Sequence, residues 1–148
     1  MSKFLDARTS QNISYSGGLS IPLSSTPALF AELGLNTAGA GPTLRIQFTA
    51  SVALSSLASA AVPVRIDIYR GRASDPGRVL VYTAIETTEA AGVLGVASRK
   101  IFTVTGSDYT PPNPGLLVYQ AFISIPGGVP IAPTRTGPES FNAAAYSD

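Results

Sequence analysis

The chain has 148 residues, with ten Lys and Arg against nine Asp and Glu, a net charge of +1, and neither His nor Cys. That balance supplies no long-range field for nucleic acid or an anionic membrane. The missing side chains remove the commonest general base, thiol nucleophiles, disulfides, and zinc or iron sites of ordinary type. Hydrophobic residues make up 45% of the chain but charged ones only 13%. A free-standing surface usually carries more charge, so the composition predicts that much of the surface is hidden between subunits.

This length suits one domain, with roughly 70% of the unfolded surface buried on folding. The first residues contain no long apolar run, so no Sec-type leader is expected. No stretch approaches the roughly 18 apolar residues of a membrane helix. The expected place of synthesis is a cytoplasm, with release by assembly or lysis.

Residues 1–27 read differently from the rest. Pro22 and Pro27 forbid a continuous helix, while Phe4, Leu5, Ile13, Tyr15, Leu19, Ile21 and Leu23 recur through a Ser-rich background. The pattern predicts an extended N-terminal arm over residues 1–27, with the domain over 28–148. An arm of that length reaches about 80 Å when fully extended. These seven apolar residues are its candidate inter-subunit contacts, by strand addition or insertion.

From Pro27 the alternation tightens. Leu29 to Leu35 reads as a strand, and Asn36 to Pro42 as a turn. In the strand over Thr43–Leu57, Leu44, Ile46, Phe48, Ala50, Val52 and Leu54 fall on one face. Val62, Val64, Ile66 and Ile68 then alternate with Pro63, Arg65, Asp67 and Tyr69, an amphipathic strand. Arg65 and Asp67 share a face and can pair. Arg70 to Gly77 is a polar loop. Arg78 to Thr88 is the next strand, with Val79, Val81, Thr83 and Ile85 on one face. A short strand is expected over Val93–Ala97 and another over Arg99–Thr105, followed by a Pro-rich loop from Gly106 to Pro114.

Leu116 to Ile125 is the clearest central strand, bounded by Pro-Gly and Pro-Gly-Gly. Leu117, Tyr119, Ala121, Ile123 and Ile125 line one face, and Leu116, Val118 and Phe122 the other, so both faces need cover. A final strand is expected near Ser140–Tyr146. About eight or nine strands with turn signals roughly every dozen residues, and no amphipathic helix, predict an all-β, antiparallel two-sheet jelly-roll sandwich. Immunoglobulin topology is the alternative.

The nine acids are scattered, and Glu86 and Glu89 are the only close pair. They read as solvated rather than as a glycosidase dyad. No metal, cofactor or catalytic residue is expected. Arg65, Arg70, Arg72 and Arg78 are nearly balanced by Asp67 and Asp75, which argues against nucleic acid.

The last third, from Gly115–Ile123 to Ser140–Tyr146, resembles the end of the tumour-necrosis-factor and complement globular-head jelly rolls. The Ala-, Ser-, Thr- and Pro-rich, cysteine-free composition is similar to jelly-roll proteins of the bacterial spore surface, such as exosporium filament tips and spore appendage fibre subunits. The resemblance implies homotrimers with contacts from Tyr119, Phe122, Phe141 and Tyr146. No Gly-X-Y stem is present. The arm stands in its place and suits subunits stacked into a filament, with an anchoring or tip protein as a further partner. The expected function is therefore a self-assembling structural subunit at a spore or cell surface, not an enzyme. A viral capsid, head-decoration or tail-fibre jelly roll on a virion is one alternative, and a carbohydrate-binding module the other.

Overall fold

The computed structural model describes residues 2–92 and 95–148. Its strands are β1 Lys3–Ile13, β2 Ile21–Pro22, β3 Ala28–Asn36, β4 Arg45–Ser56, β5 Pro63–Arg70, β6 Val79–Thr87, β7 Ser98–Tyr109, β8 Leu116–Ser124 and β9 Thr134–Ser147. There is no helix among the described residues. One sheet, here the A sheet, runs β1-β9-β4-β7, with β2 also on β9. The other, the B sheet, runs β3-β8-β5-β6. All pairings are antiparallel. Apart from the β5–β6 hairpin, neighbours within a sheet are distant in sequence, because the chain repeatedly crosses from one sheet to the other. That interleaved order is a jelly roll.

The core lies between the sheets. Ile46, Phe48, Ala50, Val52 and Leu54 project inward from β4, and Val64, Ile66 and Ile68 from β5. Leu117, Tyr119, Ala121 and Ile123 do so from β8. These are the positions that period-two alternation selects.

Four expectations are corrected. Residues 1–27 do not extend away from the domain: β1 pairs with the chain's own β9 from Lys3↔Ser147 to Ile13↔Glu139. Gly17 and Leu19 donate backbone hydrogen bonds to Thr136 O, and Leu23 donates one to Pro133 O. Second, β7 continues to Tyr109 instead of stopping at Gly106. Gly106 marks a close approach rather than a stop, since an added Cβ there would lie 2.7 Å from the Tyr82 ring.

Third, a register shift between Ile68 and Tyr69 alters which residues of β6 face inward. Tyr82 and Val81 pack on the core, whereas Ile85 is 64% exposed. Fourth, the outer cover of β8 comes from the chain itself. Arg78, just before β6, lies over Phe122 on that face, while Leu116 is left 56% exposed. The short strand expected over Val93–Ala97 falls partly on positions 93 and 94, outside the described residues.

Candidate assembly interface

Register brings distant stretches into one array on the outer face of the A sheet. Ala7, Ala144, Gln47 and Ser107 form one row across β1, β9, β4 and β7. Thr9, Asn142, Thr49 and Thr105 form the next, and Gln11, Ser140, Ser51 and Thr103 the third. None of these positions carries a charge or a large side chain. Side chains alternate between the faces of a sheet, so the same strands send their bulk inward as Ile46, Phe48, Ala50, Phe141 and Ala143.

The array is ordered by its own hydrogen bonds. Thr9 Oγ1 donates to Asn142 Oδ1 (2.8 Å), and hydroxyls pair between Thr49 and Thr105 (3.3 Å) and between Ser51 and Thr103 (3.0 Å). Short side chains tied in this way lose little rotamer freedom when covered. A shallow hollow of about 620 Å³ lies over Ala7, Thr9, Gln47, Thr49, Asn142 and Ala144. Arg8, beside it in β1, is turned to Asp6 (Nε–Oδ2 3.1 Å).

One end of the array is aromatic. Phe4 meets Tyr146 edge to face at 5.9 Å, Arg45 lies 5.8 Å from the Tyr146 ring centre, and Tyr109 beside Arg45 is 73% exposed. Two carboxylates fix the strand ends here. Asp6 accepts from Asn36 N (2.8 Å), and this bond, helped by Arg8, holds its pKa below the ordinary value. Asp148 accepts from the Thr43 hydroxyl, and that bond, helped by Arg45, lowers its pKa likewise. At the open edge of the sandwich, Ile85 on β6 and Ile101 on β7 are 64% and 61% exposed. Ile85, opposite Arg65, lies on the outer side of the B sheet, and Ile101, in parity with Thr103 and Thr105, on the A face.

The outer face of the B sheet is built in the opposite way. Arg65 lies 3.0 Å from Asp67, whose carboxylate accepts from Thr83 Oγ1 at 2.6 Å. Arg72 and Gln120 both reach Glu32, at 3.2 and 2.6 Å. The Arg78 guanidinium lies 3.5 Å over the Tyr69 ring centre and 5.4 Å from that of Phe122.

Inside the sandwich, Arg135 and Glu139 form a two-pronged pair (both contacts 2.6 Å), and Asn12 Nδ2 donates to Glu139 Oε1 (2.9 Å). Asp108 accepts from Arg70 (2.7 Å) and from the Tyr119 hydroxyl (2.8 Å). Burial, and then the Asp108 charge, push the Tyr119 phenol far above its ordinary pKa.

The four residues expected at a trimer contact are not brought together. Tyr119 and Phe141 are fully buried and pack around Phe48. Their inward parity places them in the core, so they are not available as surface contacts. Phe122 lies on the outer face of the B sheet under Arg78. Tyr146 alone lies on the A face. Of the arm residues, Phe4 and Tyr15 are exposed, Ile21 less so, and Ile13 and Leu19 half-buried. Leu5 packs against the chain's own core and Leu23 belongs to it. Sequence reasoning missed the small polar residues, whose signal is uncharged parity on β4, β7 and β9. That signal becomes a surface only when the register is known.

Among the described residues, no three Asp or Glu side chains are grouped closely enough to hold a metal ion. No described helix is long and apolar enough to cross a membrane.

No protein-family model matches the chain, and no curated protein matches it in sequence. Among solved structures, it is similar to "Structure of Eiger TNF from S. frugiperda", with 10% identity over 96% of this chain and 92% of that chain and a TM-score of 0.45. The jelly-roll assignment rests on the strand order itself.

Proposed function

We propose that this chain is a structural subunit, not an enzyme, which assembles with copies of itself through the outer face of its A sheet. The observation that carries this reading is the array of three rows across four strands without a charge. In a chain that places charges freely elsewhere, such a face is cheap to desolvate, and covering it strands no unpaired ion.

The exposed Ile85, on the outer side of the β6 edge, supplies the complementary surface. Edge of one copy against face of the next is a heterologous contact, which closes when the rotation closes. In this reading the ring is a homotrimer, and rings stack into a fibre or appendage at a spore or cell surface. Coupling along the fibre by residues 1–27 requires β1 to leave its own β9 and pair with that of a neighbour.

Light scattering with negative-stain electron microscopy on the full chain tests the reading. Three-fold particles, alone or stacked, are the expected result. A monomer at all concentrations would sink it, and closed shells would move the chain to a virion coat. Glycan-array binding by a monomer would make it a carbohydrate-binding module.

A further inference from the structure

We infer that the end of the sandwich opposite the chain termini is a second self-association surface, where two copies meet like end to like end. The described parts of four connections gather there, over residues 14–27, 57–62, 88–92 with 95–97, and 125–133, and Glu89 is their only charged residue. They are tied to one another: Ala91 N donates to Ala58 O, Leu23 N to Pro133 O and Ile125 N to Ser24 O, each at 2.9 Å. The end is therefore a shaped surface rather than a set of loose tips. Leu57 (55%), Ile131 (54%) and Val96 (58%) are exposed on it. An apolar hollow of about 210 Å³ opens between residues 58–62 and 129–131. Exposed apolar surface gathered in this way marks an interaction site.

Charge selects the occupant. The acids and bases flanking this end are Glu86, Glu89, Arg99 and Lys100, with Lys100 already on Glu86 at 2.6 Å. Two of each sign give no basic rim to draw a membrane. The opposite end carries Arg70, Arg72, Asp75 and Arg78 in the 70–78 loop. Laying that loop on an uncharged surface would strip water from exposed ions, the Arg72–Glu32 pair among them, with no new partner in exchange. Only a second copy of the same end matches apolar surface with apolar surface. A two-fold contact also lets the acid of one rim meet the base of the other, in both directions at once. This contact does not depend on the A face. It closes at two, so a fibre grows only if the charged ends also pair.

The absence of native cysteine makes the test direct. Single variants Ala60→Cys, at this end, and Ala73→Cys, in the 70–78 loop, are oxidised in the full chain. Covalent dimers from Ala60→Cys and not from Ala73→Cys are expected. Preferential mixed disulfides between the two variants would overturn the proposal in favour of head-to-tail stacking. So would an absence of dimer from Ala60→Cys, or flotation of the unmodified chain with neutral phosphatidylcholine vesicles.

A second arm uses the double variant Leu57→Asp/Ile131→Asp, which should halve the assembled mass by light scattering with unchanged far-UV circular dichroism. An unchanged mass overturns the proposal. Asn142→Lys on the A face should leave a dimer, so failure of the face contact and failure of the end contact give different masses.

Discussion

The two sheets distribute charge in opposite ways. The A sheet buries Arg135–Glu139 and Asp108 between the sheets and leaves three rows of its outer face without a charge. The B sheet packs Val64, Ile66, Ile68, Leu117, Ala121 and Ile123 inward and carries Glu32, Arg65, Asp67, Arg72 and Arg78 on its outer side. A buried ion pair is not a cheap way to hold a sheet together, because desolvation offsets much of its attraction. On the B face Arg65 pairs with Asp67 and Arg72 with Glu32, while Arg78 stacks on Tyr69 and Phe122. On the A face Thr9–Asn142, Thr49–Thr105 and Ser51–Thr103 are hydrogen-bonded within the sheet, and the three rows hold no ion. On this difference rests the proposal that copies associate through the A face.

The largest effect is expected inside the A sheet. Glu139→Ala strands Arg135, 6% exposed in its side chain, and should lower the unfolding free energy by about 3–5 kcal/mol. The double change Arg135→Met/Glu139→Leu should recover most of that loss in urea denaturation. If the single and double variants were equally unstable, the pair would be holding strand geometry and not merely balancing charge.

The next effect is on assembly. Thr49→Glu or Asn142→Lys puts a charge in the middle of the A face and should take the light-scattering mass down by dissolving the face contact. The protomer should keep its fold, since both positions are on the outer side. The mirror-image change on the B face, Arg78→Ala, removes the stack on Tyr69 and Phe122. It should lower stability by about 1–2 kcal/mol, the worth of a desolvated cation–π contact, and leave the mass unchanged. Loss of assembly from Arg78→Ala with none from Asn142→Lys would reverse the assignment of the two faces.

Much of this fold is legible in the sequence, for a physical reason. Strands that bury one face must alternate, so Ile46 to Leu54, Val62 to Ile68 and Leu117 to Ile125 declare their inward sides. What cannot be read is partnership. β1 is an edge strand with polar residues on both sides, so its sequence is that of an arm, and only its ladder with β9 makes it part of the domain. Likewise, the shift at Ile68/Tyr69 reassigns β6, because a displaced register exchanges faces. The neutral face was illegible because its rows draw on four strands far apart in sequence. The resemblance to trimeric jelly rolls implies contacts at Tyr119 and Phe141, which alternation itself puts in the core.

The smallest effect concerns the margin of the A face, where β1 is held by Asp6. The pKa of Asp6 is lowered, chiefly by the Asn36 backbone N–H and then by Arg8. The folded state therefore binds this proton less readily than the unfolded chain does. Its contribution is fully present above the ordinary aspartate value of 3.8 and is lost as pH falls through the lower folded value. Asp148, lowered by Thr43 and Arg45, acts in the same direction. Melting temperatures taken from pH 6 to pH 2.5 should fall at the acid end, and less steeply in Asp6→Asn. Because β1 supplies Ala7, Thr9 and Gln11 to the face, the assembled mass should fall over the same acid interval as β1 loosens. Salt should not reproduce that loss, since the three rows of the face carry no charge to screen. Dissociation by salt at neutral pH would instead mean that the copies are held through the charged B face.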